Sequence, residues 1–285
     1  MHAKLSATEL NLTGYDRVEA LTRVGSTNEY ARKILVGDAL TRRSYGELSL
    51  VSTSDQNAGK GRLDRVWVAP PGATLATSFM VRPHANPANK VAPDQYHWFT
   101  SLVALAACDA LEQLCGLSPS IKWPNDVLLG NRKVCGVLAQ LVIEPEGNIS
   151  VVVGIGMNLN VNQEQLPVPT ATSTLVATGQ EVNLNRALNI LAQRFEQHYR
   201  DFAAAGFDAG IDRGAGTLIQ RLKDAMSTLG SRLTIHLPGE EIFRGIGVDL
   251  TDQGQLVVRS ATGQERSFTV GDVVHVRPEG YGAGA

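Results

Sequence analysis

The spacing of apolar and polar positions marks out most of the elements of this chain. Leu48 to Ser54 and Thr74 to Val81 are short runs of aliphatic, β-branched and hydroxyl residues, the second closed by Pro83, and each predicts a strand. Trp98 to Leu114 is apolar on most faces and predicts a buried helix. Val134 to Ile143 and Ser150 to Ile155 are rich in Val, Leu and Ile, and Glu144-Pro145-Glu146-Gly147-Asn148 supplies a turn between them, so the pair predicts a hairpin. Leu184 to Phe202 carries Leu188, Leu191, Phe195, Tyr199 and Phe202 at three- and four-residue steps, an amphipathic helix. Thr217 to Met226 predicts another. Near the start, Ser26-Thr27-Asn28-Glu29 has the form of a capping box ahead of Ala31, Ile34 and Leu35, with Gly37 as a stop. Residues 1–17 are polar and mixed, a loose lead-in.

The texture changes near Ser227. Leu233/Ile235/Leu237, Ile242 to Val248, Leu256 to Val258, Phe268/Val270 and Val273 to Val276 are short alternating runs, punctuated by Pro238-Gly239, Asp252-Gln253-Gly254 and Thr262-Gly263. They predict a five-strand barrel of roughly fifty residues, near the lower limit for independent folding, so it is expected to pack on the rest. The expected organisation is residues 1–227 as an α/β domain, 228–278 as the barrel and 279–285, rich in Gly and Ala, as a disordered tail.

Composition narrows the function classes. The 285 residues are 43% hydrophobic and 19% charged, with a formal net charge of −2, which is ordinary for a globular protein and gives no basic field for nonspecific nucleic-acid binding. No apolar run reaches the length of a membrane span, and no basic-then-apolar leader opens the chain. Three cysteines without CxxC spacing suit free thiols in a reducing cytoplasm, the expected location. Six scattered histidines offer no paired zinc-ligand spacing.

Three segments break the element pattern. Lys122-Trp123-Pro124-Asn125-Asp126, with Arg132-Lys133 and Gly136 close behind, is a poor design for a plain strand or helix, because Pro124 removes a donor and Asn125 and Asp126 favour turns. Its mixture of cations and acids suits a polyanionic ligand whose charge changes during reaction. Gln56-Asn57-Ala58-Gly59-Lys60-Gly61-Arg62-Leu63-Asp64-Arg65 joins glycines that let backbone amides approach a ligand to three cationic side chains. It reads equally as a phosphate or carboxylate cradle or as a solvated basic turn, and it is not a Walker A loop, since Gly61 stands where Ser or Thr should follow the lysine. Gly154-Ile155-Gly156-Met157-Asn158 ends a Val-rich strand; by itself it reads as a bulge or tight turn. Cys135 and the single histidines read as packing residues, and Trp67 as core rather than as a stacking platform.

In order, Ser-Thr-Asn at 26–28, the basic loop at 56–65, Lys-Trp-Pro-Asn-Asp at 122–126, Arg-Lys-x-x-Gly at 132–136 and Gly-x-Gly-x-Asn at 154–158 resemble the layout of the biotin protein ligases, and the resemblance spans about residues 15–277. It implies a class II synthetase-like mixed sheet with flanking helices followed by an SH3-like barrel. It implies two half-reactions as well: biotin and ATP give biotinyl-5′-adenylate, and a lysine of a biotin carboxyl carrier domain, from an acyl-CoA or pyruvate carboxylase, then takes the biotinyl group. By motif position Lys133 would bridge the biotin carboxylate and the α-phosphate. Ser26, Thr27, Asn28 and Gln56 would contact biotin, with Gly136, Gly154 and Gly156 along its wall. Lys60, Gly61 and Arg62 would form a covering loop, Arg62 acting with Lys133 on the intermediate. Arg65, Lys122, Asn125, Asp126 and Asn158 would face the nucleotide, with Asn125 and Asp126 as candidate ligands of Mg²⁺ or its waters.

The family's loop usually reads Gly-Arg-Gly-Arg-x-Gly-Arg. Here Lys60 replaces the first Arg and cannot make its bidentate contact, and Asp64 replaces the last Gly, which adds strain in a left-handed conformation. Some family members also carry an N-terminal helix-turn-helix and repress transcription; here the ligase pattern starts almost at once, so no DNA partner is expected. No membrane partner is expected either, and the expected state is a monomer or weak homodimer. Lipoate protein ligases share the implied fold and chemistry but not Lys-Trp-Pro-Asn-Asp or this loop. A noncatalytic relative would be expected to lack the lysine at 133.

Overall fold

The structure, a computed structural model, describes residues 5–278 apart from 7–8, 68, 215 and 271–274. The tail 279–285, the first part of the lead-in and the first two residues of the predicted strand Val273–Val276 lie outside the described residues. The elements run β1 (Arg17–Leu21), α1 (Thr27–Leu35), α2 (Ala39–Arg43), β2 (Leu48–Thr53), β3 (Gly59–Lys60), β4 (Val66–Trp67), β5 (Thr74–Val81), α3 (Trp98–Cys115), β6 (Pro119–Lys122), β7 (Asp126–Leu129), β8 (Arg132–Ile143), β9 (Ile149–Asn158), α4 (Thr174–Thr178), α5 (Leu184–Ala204), α6 (Leu218–Ala225), β10 (Arg232–His236), β11 (Ile242–Leu250), β12 (Leu256–Arg259), β13 (Glu265–Phe268) and β14 (His275–Pro278).

Among the described residues seven strands form one sheet in the order β1-β2-β5-β9-β8-β7-β6, mixed because β1 lies parallel to β2 while the other neighbours are antiparallel. Both faces are covered, which explains why β2 and β5 are buried at every position rather than alternating with water. Successive residues serve opposite faces. Leu50, Phe79, Val151 and Val153 join the large core under α3 and α5, whereas Val51, Met80 and Val152 meet Ala31 and Leu35 of α1. On α5 the predicted stripe Leu188, Leu191, Phe195, Tyr199 and Phe202 is the buried face, with the Phe195 ring 4.3 Å from Phe79. No helix among the described residues is long and apolar enough to cross a membrane.

Several local expectations need correction. Only half of the capping box at Ser26 forms: its hydroxyl accepts from the Glu29 amide at 3.4 Å, while the Glu29 carboxylate turns to Lys60 and Arg32. Strand β1 extends beyond the expected lead-in, and β7 follows Asn125 directly. The basic loop is a short hairpin, with β3 paired to β4. The turn after β8 forms where it is expected, and its first residue, Glu144, is only 2% exposed. Its carboxylate receives Arg82 at 2.7 and 3.0 Å and the Ser150 hydroxyl at 2.6 Å, and Arg42 lies 3.5 Å away. A hydrophobic count along the sequence cannot reveal an acid buried by partners from three different segments.

The five C-terminal strands form a second sheet in the order β13-β12-β11-β10-β14, antiparallel throughout. Among the described residues its end strands, β13 and β14, are not paired with each other, so the expected barrel is an open, curled sheet. Leu233, Ile235, Leu256, Val258 and Phe268 belong to the same core cluster as Phe99 and Trp123. Hydrogen bonds tie it and the segment leading into it to β6 and the turn after it, among them Ser227 N to Ile121 O at 3.0 Å, Trp123 N to Thr228 Oγ1 at 2.9 Å and Trp123 Nε1 to Gly254 O at 3.1 Å.

Removing one member of a buried ion cluster leaves the others uncompensated. Glu144→Gln is therefore expected to lower unfolding free energy by about 3 kcal/mol in urea titration. A loss under about 0.5 kcal/mol, the size of an ordinary surface change, would mean the cluster does not hold the β8–β9 turn.

Candidate functional site

A cavity of about 290 Å³ opens above the centre of the large sheet, at the strand ends where β8 and β9 meet the start of α1. Ser26, Asn28, Gln56, Lys60, Gly61, Arg62, Arg65, Lys122, Asn125, Asp126, Lys133, Gly136, Gly154, Gly156 and Asn158 line it. Of the residues singled out in the sequence only Thr27 is set back, where its amide and hydroxyl both donate to Gln56 Oε1, at 2.9 and 3.1 Å. Asn28 lies beneath: Nδ2 donates to Leu138 O at 3.0 Å and Oδ1 sits 2.6 Å from the hydroxyl of buried Ser78. The first turn of α1 is thus pinned to β5 and β8.

The glycines form a floor rather than a bulge or turn. Gly154 and Gly156 lie in regular register within β9, opposite Leu138 and Gly136 of β8. A Cβ on Gly154 would fall 2.1 Å from Asn28 Oδ1, and one on Gly156 would fall 2.5 Å from the Trp67 ring. At Gly136 a Cβ would come within 2.8 Å of Lys133 Nζ. Side chains therefore lie directly on the backbone, the close approach that glycine permits. The expectation that Trp67 is plain core is corrected in the same way: its ring rests on this floor inside the cavity, with Lys133 Nζ 5.5 Å from its centroid.

A cationic wall meets the floor. Lys60, Arg62, Arg65, Lys122 and Lys133 line the cavity, with Asp126 as the one carboxylate among the described lining residues. Lys122 Nζ is 2.7 Å from Asp126 Oδ2 and Lys133 Nζ is 2.6 Å from Oδ1. The sheet builds this triad, since Lys122 pairs with Asp126 across β6 and β7, and a register shift between Val127 and Leu128 sets Lys133 of β8 alongside. Burial alone would push the Asp126 carboxyl up, but Lys133 and Lys122 outweigh it and hold it down at about 2. Asn125 is locked by Val137, its Nδ2 donating at 2.7 Å, and Asn158 Nδ2 donates to Thr172 O at 3.1 Å. Segment 170–172 brackets Lys133 through Lys133 N to Thr170 O and Thr172 N to Lys133 O, both at 2.8 Å. Nothing in the sequence signalled this segment, since its contribution is backbone.

The described residues contain no group of three or more His, Cys, Asp or Glu able to hold a metal ion, and both Asp126 oxygens already face lysines. Among the described residues the donors here are thus fewer than the oxygens a hard cation takes, and an ion at this place would have to bring most of its ligands with it.

The loop tip crosses toward the C-terminal sheet. Arg62 Nη2 donates to Val270 O at 2.8 Å, and burial, then the neighbouring Arg65, pull its pKa down against Asp126. Leu63 and Asp64 have φ of 54° and 57°, left-handed positions that cost roughly 1 kcal/mol each for a residue with a Cβ. Lys60 is drawn aside into an ion pair with Glu29 at 3.1 Å. Cys135 is fully buried in β8, and burial raises its thiol well above its ordinary value, so it packs rather than reacts.

Residues 22–160 match the Biotin/lipoate A/B protein ligase family and residues 228–276 the Biotin protein ligase C terminal domain. The chain is 30% identical to the biotin–[acetyl-CoA-carboxylase] ligase of Mycobacterium tuberculosis, over 93% of this chain and 91% of that one. It is 32% identical to the protein of the same name from Paracoccus denitrificans, over 86% of this chain and 95% of that one. The fold is similar to that of the Aquifex aeolicus biotin protein ligase in complex with biotin and ATP, with a TM-score of 0.67 at 23% identity over 92% of this chain and 97% of that one.

Asp126→Asn would leave two lysines facing each other in a dry site, and is expected to cost about 3 kcal/mol of stability. The folded pKa is depressed, so the contribution is complete above the unfolded value near 3.9 and is lost only as pH falls toward about 2. The difference in urea midpoint between wild type and variant should therefore stay constant from about pH 5 to 8. A difference that vanished at pH 6 would contradict the triad.

Proposed function

This chain belongs to the biotin protein ligase family, and from that premise we propose that it biotinylates a carrier protein in two half-reactions. It is a ligase of the biotin–[acetyl-CoA-carboxylase] kind. In the first step a biotin carboxylate oxygen attacks the α-phosphorus of ATP, and the bond to the β-phosphate breaks with release of pyrophosphate. In the second a lysine amine of a biotin carboxyl carrier domain attacks the mixed anhydride, and AMP leaves. The acceptor is a domain of an acyl-CoA or pyruvate carboxylase, and the reaction is cytoplasmic.

One observation carries this reading: a narrow glycine-floored slot and a five-cation wall meet at Lys133. The slot suits a flat, largely apolar acid, whose ring Ser26, Asn28 and Gln56 meet at one end, with Thr27 behind them holding Gln56 and with Gly136, Gly154 and Gly156 beneath. The wall suits a polyphosphate. Both reactants are anions, so the first step needs positive charge fixed where they approach and where charge builds on the phosphoryl oxygens. Lys133 serves that point, able to exchange the Asp126 carboxylate for that of biotin. Lys122, Arg65, Asn125 and Asn158 hold the nucleotide. Asn125 and Asp126 would meet the waters of a magnesium ion carried in with ATP, which would offset part of the phosphate charge. Lys60, Gly61 and Arg62 cover the adenylate, which water would otherwise hydrolyse.

Pyrophosphate exchange dependent on biotin, followed by label transfer to a purified carrier domain, tests the whole reading; exchange with lipoate and not with biotin would reverse it. Lys133→Ala should slow single-turnover adenylate formation on the order of 10²–10³-fold with circular dichroism unchanged. Near-normal adenylation by the folded variant would move the reacting centre elsewhere. Arg62→Gly should form the adenylate but hold it poorly, so that the leaked intermediate labels lysines on bystander proteins. Biotinylation confined to the carrier, with wild-type retention of the adenylate, would remove the covering role.

A further inference from the structure

A second cavity, of about 170 Å³, adjoins the first. Arg62, Pro124, Asn125, Val137 and Leu138 line both. Its other walls come from the start of α3, the turn after β6, the end of α6 and the C-terminal sheet, and they are mostly apolar: Trp98, Trp123, Leu222, Met226 and Leu250. Thr100 and Ser101 of α3, both half-buried, line it as well. Among the described residues no Asp or Glu lines it.

On the reading given above, biotin and the nucleotide fill the first cavity, and neither uses the second. The second half-reaction still requires a nucleophile to reach the carboxyl carbon from a side that neither ligand occupies. That nucleophile is an amine at the end of an unbranched chain of methylenes, and it reacts only as the neutral base. A narrow apolar passage accommodates the methylenes. The apolar side chains of its lining and the guanidinium of Arg62, which borders both cavities, disfavour an ammonium over an amine. Asn125 lines both cavities and so stands at their junction, its Nδ2 donating to Val137 O at 2.7 Å.

We propose that this second cavity is the passage through which the acceptor's lysine side chain reaches the activated carboxyl group. The proposal rests on the adenylation reading and deepens it. The amine lone pair forms the C–N bond at the carboxyl carbon. The C–O bond to the phosphate breaks with its electron pair leaving on AMP, and the surplus proton passes to water.

The test plugs the passage after folding. In Ser101→Cys the new thiol is reacted with N-phenylmaleimide, and wild type treated alike controls for Cys108, Cys115 and Cys135. Three activities are read: biotin-dependent pyrophosphate exchange, formation of biotinyl hydroxamate from the adenylate with hydroxylamine, and transfer to a carrier domain. The labelled protein should keep the first two, since hydroxylamine is small, and lose carrier transfer on the order of 10²-fold, as displacement of a reacting group does. Undiminished transfer overturns the proposal. So does a thiol that resists labelling, because the cavity would then not be open, and so does a parallel fall in all three activities, because the plug would then act on the adenylation site. Absence of exchange in unmodified wild type would instead strike at the adenylation reading itself.

Discussion

The carboxylate of Asp126, held between Lys122 and Lys133 at 2.7 and 2.6 Å, is the interaction on which the site depends. Carrying three charges into a nearly dry position is costly, and only short contacts to both oxygens offset that cost. The triad spans β6, β7 and β8, so it fixes the edge of the sheet and orients both ammonium groups. It also leaves a net positive charge in a place of weak screening, where a fixed cation acts most strongly on arriving anions. The same contact that holds the strands together thus sets the electrostatics of the cavity.

The glycine floor is the steric counterpart of that charge. β8 and β9 pair without interruption past Gly136, Gly154 and Gly156, and the lost side chains create the slot without breaking the ladder. Asn28 and Trp67 then descend to distances that no Cβ would tolerate. Rigidity and space are obtained together, because the backbone hydrogen bonds remain while the volume is removed. A loop-built pocket of the same shape would lack that stiffness.

The C-terminal sheet completes the cavity from the far side. Val276 lines it, Arg62 reaches Val270 O, and Trp123 Nε1 reaches Gly254 O. Because its core is continuous with that under α3, the β3–β4 hairpin is tethered through Arg62 to a unit that is itself packed on the large sheet. Arg62 therefore couples the tip of a hairpin containing two left-handed residues to a surface that can hold it.

Chain order alone determined the long elements and the chemistry on offer. The apolar spacing of β5, α3 and α5 gave their bounds to within a residue or two, since burial on one or both faces leaves a period that local sequence records. The cations and acids of the cavity were likewise legible, because strings such as Lys-Trp-Pro-Asn-Asp make poor packing elements, whereas Gly154 and Gly156 became site candidates only through the family resemblance. Tertiary structure decided what each does. Whether Gly154 and Gly156 bend a strand or floor a slot depends on Asn28 and Trp67, far away in the chain. Whether Glu144 faces water depends on Arg82 and Arg42. Trp67, Ser78, segment 170–172 and Val276 carry no local signal, because their contribution is position, and position is set by strand order and register across the sheet. Residue type is a local property of the chain, whereas a distance of 2.6 Å between Lys133 and Asp126 exists only once β7 and β8 have paired.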